Sequence, residues 1–115
     1  MPKIPSLYVV ATPIGNLDDF SPRAIETLQN VNQIAAEDTR HSQKLLKHFG
    51  ITTSLISLHE HNEAATSKLL LDCLKKNQSI ALISDAGTPL INDPGYRLVK
   101  LARQHGIPVL SLIHI

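Results

Sequence analysis

Residues Ser79 to Gly95 contain the pattern that most limits how this chain can fold. The apolar run Ile80–Ile83 is followed by small and polar residues and then by Asp93-Pro94, a helix-start signature. An apolar run of this length, bounded by turn residues, is typical of a buried parallel strand that leads into a loop and a helix. Ligands of open α/β sheets bind beyond the carboxyl ends of the strands, so the loop after this run is the first place to look for chemistry.

The same alternation of apolar run, polar loop and helical pattern recurs along the chain. The runs predict strands at Leu7–Ala11, Gln33–Ala36, Ser54–Leu58, Ile80–Ile83 and a fifth that begins at Ile107–Leu110. Strands that alternate with helices of this size indicate a parallel sheet with right-handed crossovers. We therefore predict an α/β fold with a mostly parallel sheet of about five strands and helices on both faces.

Helix boundaries are marked by capping residues. Ser21-Pro22 predicts an N-cap and a first helical residue, and this helix should end near Asn30. The later helices have predicted N-caps at Asp38 or Thr39, at Asn62 and at Asp93, and two of them should end at Gly50 and Gly106. The apolar residues of the third helix are Ala65, Leu69, Leu70, Cys73 and Leu74.

Size and composition are those of one soluble globular domain. The chain has 115 residues, of which 43% are hydrophobic and 18% charged. No apolar run approaches the roughly 18–20 residues that a membrane helix needs, and the N-terminus has no cleavage pattern, so a cytoplasmic location is expected. Cys73 is the single cysteine, which excludes an internal disulfide and fits a buried helix residue in a reducing compartment.

The end of the chain is unusual for a finished domain, because residues 110–115 remain apolar and no helix follows to cover the sheet. We expect residues 1–110 to be the N-terminal α/β domain of a longer protein and residues 111–115 to be an atypical tail. A fifth strand left uncovered in this way favours pairing with another chain, and we predict a homodimer or a larger species.

Charge is distributed unevenly, although the net charge of +1 is too small to argue for nucleic-acid binding. Most lysines and arginines fall inside helical patterns. Most acidic residues fall in or beside the loops that follow the apolar runs: Asp18, Asp19, Glu37, Asp38, Glu60, Glu63, Asp85 and Asp93. Either these acids gather at one functional edge of the sheet or they cap helices, which favour acids at their starts.

Four predicted strand exits should lie side by side: Thr12–Asn16, Glu37–Arg40, His59–Glu63 and Ser84–Pro89. None contains a dinucleotide fingerprint or a phosphate-binding P-loop, and the absence of a P-loop lysine argues against nucleotide hydrolysis. In Ser84–Pro89 the small residues would let a ligand lie against the main chain, and Asp85 could accept hydrogen bonds from a ribose or an amine. Alternatively, Asp85 stabilises a turn through an Asx-type bond.

The third exit contains His59 and His61, which alternate in an extended chain and so could point the same way. With Asp38, Glu60 and Glu63 they could form a metal cluster. This spacing is common and no matching third motif is present, so we predict no metal and interpret these residues as lining a substrate cleft or as solvated.

Four motifs occurring together in this order resemble one family closely. They are V-A-T-P-I-G-N-L-D-D (Val10–Asp19), A-E-D-T-R (Ala36–Arg40), H-E-H-N-E (His59–Glu63) and S-D-A-G-T-P-L-I-N-D-P-G (Ser84–Gly95). The resemblance is to the small-subunit ribosomal RNA cytidine 2′-O-methyltransferases of subfamily I, within the tetrapyrrole methylase superfamily. It extends over residues 7–106.

The resemblance implies two α/β domains with S-adenosylmethionine between them, and methylation of the ribose 2′-hydroxyl of a cytidine in small-subunit ribosomal RNA. It implies that the cofactor-binding residues are Pro13, Gly15, Ser84, Asp85, Ala86, Gly87 and Thr88. A base is needed as the hydroxyl loses its proton, and the candidates are Asp38, His59, Glu60 and His61, with nothing to choose among them. RNA phosphates require Lys or Arg, and Arg23 and Arg40 lie nearest the loop edge.

The chain departs from the family pattern after the fifth strand. The family continues into a Pro-Gly-Pro-Ser-type loop, whereas residues 111–115 read S-L-I-H-I, and we do not expect the second domain within these 115 residues. Two alternatives to the RNA methyltransferase therefore stay open. One is a tetrapyrrole C-methyltransferase of the same superfamily, against which A-E-D-T-R and H-E-H-N-E argue, and the other is a non-catalytic fragment.

Overall fold

A computed structural model of the chain describes residues 5–12, 20–37, 39–59, 62–85 and 95–112. Strands and helices alternate along the described chain: β1 (Leu7–Thr12), α1 (Pro22–Asn30), β2 (Gln33–Ala36), α2 (Thr39–His48), β3 (Ser54–Ser57), α3 (Glu63–Lys75), β4 (Ile80–Asp85), α4 (Gly95–Gln104) and β5 (Val109–Leu112). The described strands form one sheet in the order β3-β2-β4-β1-β5, and every neighbouring pair is parallel. The predicted fold class is confirmed.

Alternation along each strand produces two hydrophobic cores, one on each face of the sheet. Val10 and Ile83 contribute to one core and Val9 and Leu82 to the other. Helices α1 and α2 cover the first face with Ala24, Leu28, Leu45 and Leu46. Helices α3 and α4 cover the second face with Leu70, Leu74, Leu98, Val99 and Ala102. Helices therefore lie on both faces, as predicted.

Two strands extend further than the apolar pattern indicated. Ser84 and Asp85 were expected in a loop but lie in β4, and Thr12 lies in β1, where Thr12 and Asp85 are register partners. Strand pairing is made by backbone groups, so it continues past the last apolar side chain. The fifth strand is likewise displaced towards the C-terminus, since Ser111 and Leu112 pair with Val9 and Val10 and Leu112 is buried. Residues 113–115 lie outside the described residues.

The predicted start of α1 is confirmed, and that of α3 is only half right. The Ser21 hydroxyl accepts a hydrogen bond from the Ala24 backbone N–H at 3.1 Å, with Pro22 as the first helical residue. Asn62 occupies the N-cap position of α3, but its side chain makes no capping bond to that helix. Helix α2 begins at Thr39, whereas Asp38, Asp93 and Pro94 lie outside the described residues.

The buried face of α3 differs from the predicted one. Leu70 and Leu74 are buried as expected and Cys73 is half-buried, but Ala65 is exposed and Leu69 is 60% exposed, whereas Leu71 and Ser67 are buried. Helix α3 packs against α4 as well as against the sheet. The second contact rotates the buried face away from the stripe that a single contact would select.

Candidate functional site

The centre of the sheet carries a topological switch point between β1 and β4. These strands are neighbours, yet the helix that follows β1 packs on one face and the helix that follows β4 packs on the other. The next described helices after these two strands, α1 and α4, therefore lie on opposite faces of the sheet. In open α/β sheets such a point opens a crevice at the carboxyl ends of the strands, and ligands bind there.

The predicted cofactor loops begin at this switch point. Thr12 and Asp85 are the last residues of β1 and β4 and lie opposite one another in the ladder, with Ser84 opposite Ala11. Ser84 and Asp85 are thus positioned by rigid strands rather than by a loop. The other predicted cofactor residues, Pro13, Gly15, Ala86, Gly87 and Thr88, lie outside the described residues.

The other two predicted exits follow the strands on one side of this point. Glu37 follows β2, which is the neighbour of β4, and His59 follows β3, which is the neighbour of β2. The order along the edge is therefore the His59 exit, the Glu37 exit, the Asp85 exit and the Thr12 exit. Of the candidate bases, His59 is described and half-buried, whereas Asp38, Glu60 and His61 lie outside the described residues.

Asn62 fixes the turn that presents His59. Its side-chain Oδ1 accepts a hydrogen bond from the His59 backbone N–H at 2.8 Å, and its Nδ2 donates to the Ser57 carbonyl at 3.0 Å. The Asn62 backbone N–H donates to the His59 carbonyl at 3.1 Å, and Leu58 N–H donates to the Ala36 carbonyl at 2.9 Å. The side chain of Asn62 thus serves the turn and not the helix cap that the sequence predicts. Asn62 follows two histidines and precedes a helix, so the sequence was compatible with a bond to the turn or to the helix start, because Asn side chains make both.

An ion pair connects the helices that follow the β3 and β4 exits. Arg97 Nε lies 4.0 Å from Glu63 Oε1, and the two side chains are 53% and 31% exposed. Exposed pairs of this kind contribute little to stability. The pair uses the carboxylate of Glu63, which was one of the residues of the hypothetical metal cluster.

The two predicted RNA-binding arginines lie on the same face of the sheet. Arg23 is exposed in the first turn of α1, and Arg40 is exposed in the first turn of α2. The rings of Phe20, before α1, and Phe49, after α2, lie 5.6 Å apart between centroids. Both arginines are on helices that cover the same face of the sheet.

Two searches of the described residues concern other kinds of site. Within the described residues, no three His, Cys, Asp or Glu side chains are grouped so that they could hold a metal ion. Among the helices of the described ranges, none is long and apolar enough to span a membrane. Cys73 is a free, half-buried thiol packed beside the core under α3 and α4.

The sequence of this chain matches a known protein family. The model of the family described as Tetrapyrrole (Corrin/Porphyrin) Methylases matches residues 6–112. The chain is 59% identical over 106 residues to "Ribosomal RNA small subunit methyltransferase I" of Escherichia coli O157:H7, covering 92% of this chain and 37% of that protein. It is 58% identical over 106 residues to the protein of the same name from Synechocystis sp., covering 92% and 38%. The chain thus spans well under half the length of these relatives.

Solved structures share the fold at low sequence identity. A cobalt precorrin-4 methyltransferase superposes with a TM-score of 0.75 at 14% identity, covering 96% of this chain and 46% of that one. Uroporphyrin-III-C-methyltransferase from Thermus thermophilus superposes with a TM-score of 0.72 at 15% identity, covering 98% and 49%. Diphthine synthase gives 0.70 at 16% identity, covering 95% and 44%. These similarities concern the fold alone.

Proposed function

The chain belongs to the tetrapyrrole methylase family. From that membership we propose that the chain through the end of β5 at Leu112, two residues beyond the predicted boundary at residue 110, is the N-terminal α/β domain of a two-domain methyltransferase. The proposed reaction transfers a methyl group from S-adenosylmethionine to the ribose 2′-hydroxyl of a cytidine in small-subunit ribosomal RNA. The relatives that are 56–59% identical over more than 90% of this chain support this RNA substrate through their names. The observation that carries the proposal is the switch point between β1 and β4.

The strand ends at the switch point suit the cofactor. Ligands of open α/β sheets bind at such a switch point, and the Asp85 carboxylate would accept hydrogen bonds from ribose hydroxyls or attract a positive charge. We assign cofactor binding to Ser84 and Asp85 together with Pro13, Gly15, Ala86, Gly87 and Thr88. S-adenosylmethionine, when bound, supplies a methyl group already activated on a sulfonium.

The task left to the protein is to orient the ribose oxygen and to accept its proton. Orientation of the two reacting groups can supply a large part of the rate enhancement. Asp38, His59, Glu60 and His61 are the proposed bases, and all belong to the exits of β2 and β3, beside the cofactor exits. Asn62 contributes by holding the main chain of His59, so it is a positioning residue.

The RNA side of the site is proposed to lie on the surface of α1 and α2. Arg23 and Arg40 are exposed there and would bind phosphates, which dominate the affinity of proteins for nucleic acids. We further propose that the protein acts as a homodimer in the cytoplasm, with the small ribosomal subunit RNA as its partner.

The test is methyl transfer by the full-length protein. Small ribosomal subunits that lack the modification should accept a labelled methyl group at a ribose 2′-oxygen, and a uroporphyrinogen-type tetrapyrrole should not. Transfer to carbon of the tetrapyrrole, with none to RNA, would support the superfamily alternative. Calorimetric titration of residues 1–115 with S-adenosylmethionine separately tests whether this part alone binds the cofactor or is a non-catalytic fragment.

A further inference from the structure

Helix α2 carries a charge distribution that its own folding does not explain. Its sequence T-R-H-S-Q-K-L-L-K-H contains no acidic residue and includes five basic or titratable residues: Arg40, His41, Lys44, Lys47 and His48. We propose that the exposed side of α2 is a binding track for the phosphates of the RNA substrate and that the groove beside its C-terminal end receives an unstacked base. The inference rests on the proposed function and deepens it by adding residues to the RNA contact.

The energetics of an isolated helix disfavour this arrangement. Arg40 lies in the first turn, where the positive end of the helix dipole repels a cation by about 0.3–1 kcal/mol. Arg40 and Lys44 are four residues apart and Lys44 and Lys47 three apart, and like charges at these spacings destabilise a helix by roughly 0.2–0.5 kcal/mol per pair. Only Lys47 and His48 in the last turn are placed favourably. A local conflict of this kind is expected where a surface is selected for binding.

The charges are presented to solvent rather than neutralised. Ser42, Leu45 and Leu46 are buried against the sheet, whereas Arg40, Lys44 and Lys47 are exposed. These three side chains make no salt bridge within the described part of the chain. Their spacing of three or four residues places them along one side of the helix. Arg40, Lys44 and Lys47 therefore form an open cationic stripe.

An apolar groove of about 350 Å³ adjoins the end of this stripe. Leu46, Ile51 and Leu55 form its apolar part, and Gln43, Lys47 and Thr52 add polar groups. The groove thus has Lys47 in common with the stripe. Proteins that bind single-stranded RNA commonly hold phosphates with cations and stack unstacked bases on aromatic side chains. Here the cations are present and aliphatic side chains take the place of the aromatic platform, so the base would be held by apolar contact with Leu46, Ile51 and Leu55.

The stripe starts at the candidate functional site. Arg40 is four residues beyond the end of β2, whose neighbour β4 ends in Asp85. Lys44 and Lys47 lie progressively further from that edge. The groove is lined by the C-terminal half of α2, by the segment that follows it and by the start of β3. An RNA strand whose target ribose lies at the carboxyl edge of the sheet could therefore continue along α2 towards the groove.

Helix α4 provides a matched control on the opposite face of the sheet. It also lacks acidic residues and carries Arg97, Lys100 and Arg103, but Arg97 is paired with Glu63. Lys100 and Arg103 are both exposed, so their inversion changes the net charge as much as inversion of Lys44 and Lys47. A general electrostatic effect would weaken RNA binding in both variants, whereas a specific track on α2 would weaken it only in the α2 variant.

The experiment uses the full-length protein and a fluorescent RNA oligonucleotide with the sequence around the target cytidine. Affinity is measured at several salt concentrations for the native protein, for Lys44→Glu/Lys47→Glu and for Lys100→Glu/Arg103→Glu. We expect the α2 variant to bind the RNA at least tenfold more weakly. The slope of log affinity against log salt concentration should become shallower by about 1.4, because two phosphate contacts to single-stranded RNA are lost. The α4 variant should keep the native salt dependence. Lys44→Arg/Lys47→Arg, which keeps both positive charges, should bind the RNA with native affinity.

A second variant tests the groove without altering charge. Thr52→Trp, at an exposed position beside the groove, should fill it and weaken RNA binding while leaving the salt dependence unchanged. All variants should fold and melt cooperatively and should keep the native affinity for S-adenosylmethionine, which separates this surface from the cofactor site.

Four results would overturn the inference. Equal losses in the α2 and α4 variants would show that net charge alone is responsible. Native RNA affinity in the α2 variant, combined with lost binding to phosphatidylserine vesicles, would assign the stripe to a lipid surface. Native affinity and methyl transfer in both the α2 and the Thr52→Trp variants would remove the track but leave the proposed function intact, whereas absence of RNA binding by the native protein would remove both.

Discussion

Asp85 ends the strand at the switch point, and its backbone is held by pairing with Thr12. The turn hypothesis treated Asp85 as a loop residue that stabilises its own local bend. The backbone of Asp85 lies in β4, so strand pairing positions it up to the end of the strand. A role toward the cofactor and a turn after the strand are the two hypotheses for Asp85, and a single substitution distinguishes them.

The first prediction concerns Asp85→Asn in the full-length protein. This change keeps the side-chain shape and removes the charge. A hydrogen bond to a charged group contributes about 1.5–3 kcal/mol, so affinity for S-adenosylmethionine should fall roughly ten- to a hundredfold. Calorimetric titration measures the affinity and a thermal melt measures stability. Native values in both would exclude Asp85 from the site.

The second prediction concerns Asn62, which bonds to both ends of the β3 exit turn. Asn62→Ala removes an acceptor for the His59 N–H and a donor to the Ser57 carbonyl, and it should lower the free energy of unfolding by about 1–3 kcal/mol. Asn62→Asp keeps the acceptor and should be affected less. Urea unfolding gives the values, with exposed Asn30→Ala as the control. An Asn62→Ala variant as stable as that control would show that the turn does not depend on this side chain.

At the scale of elements, three helices end in the same backbone conformation. A residue with positive φ follows α2, α3 and α4: Gly50 at 67°, Asn77 at 67° and Gly106 at 72°. Backbone N–H groups close each end, as in the bonds from Ile51 to the Leu46 carbonyl and from Ile107 to the Ala102 carbonyl, both 2.9 Å. These are the bonds by which helices commonly end at a left-handed residue.

The third prediction uses these helix ends. A Cβ added at Gly106 meets no atom within 4 Å, so Gly106→Ala tests backbone conformation without a clash. The left-handed conformation costs about 1–2 kcal/mol for a residue with a Cβ, and the variant should be less stable by about that amount. Asn tolerates this conformation better than other residues with a Cβ, and glycine loses more backbone entropy on folding, so Asn77→Gly should be neutral or slightly stabilising. Both are measured by chemical denaturation, and equal stability of Gly106→Ala and the native chain would contradict the assignment.

At the scale of the whole molecule, β5 is an edge strand of the described sheet and carries an exposed apolar side chain. It pairs with β1 on one side, and Leu110 is 45% exposed. Edge strands with exposed apolar residues are available to pair with a second chain. The proposed homodimer is consistent with this edge.

The fourth prediction follows for residues 1–115 in isolation. They should sediment as a dimer or a larger species in analytical ultracentrifugation at tens of micromolar, an ordinary concentration for the method. Leu110→Lys should shift the distribution towards monomer, because a charged side chain on an edge opposes pairing. Sedimentation of the native chain as a monomer at this concentration would contradict the prediction.

The sequence by itself determined the elements and the class of fold. The continuous apolar run at Leu7–Ala11 and the cap at Ser21-Pro22 are local signals, and strands alternating with helices favour a parallel sheet. Residues Gln33–Ala36 are both the predicted and the observed second strand. The four sequence motifs also pointed to the right family, since they depend on residue identity and not on packing.

The tertiary structure alone decided the strand order, the ends of the strands and the buried face of α3. Which strands are neighbours depends on how the crossovers pack, so the switch point between β1 and β4 was not readable from local pattern. Backbone pairing carried Ser84 and Asp85 into β4, and contact with α4 exposed Leu69. The bonds of Asn62 likewise required the turn to be closed in space, because one side chain can serve a helix or a turn until its neighbours are placed.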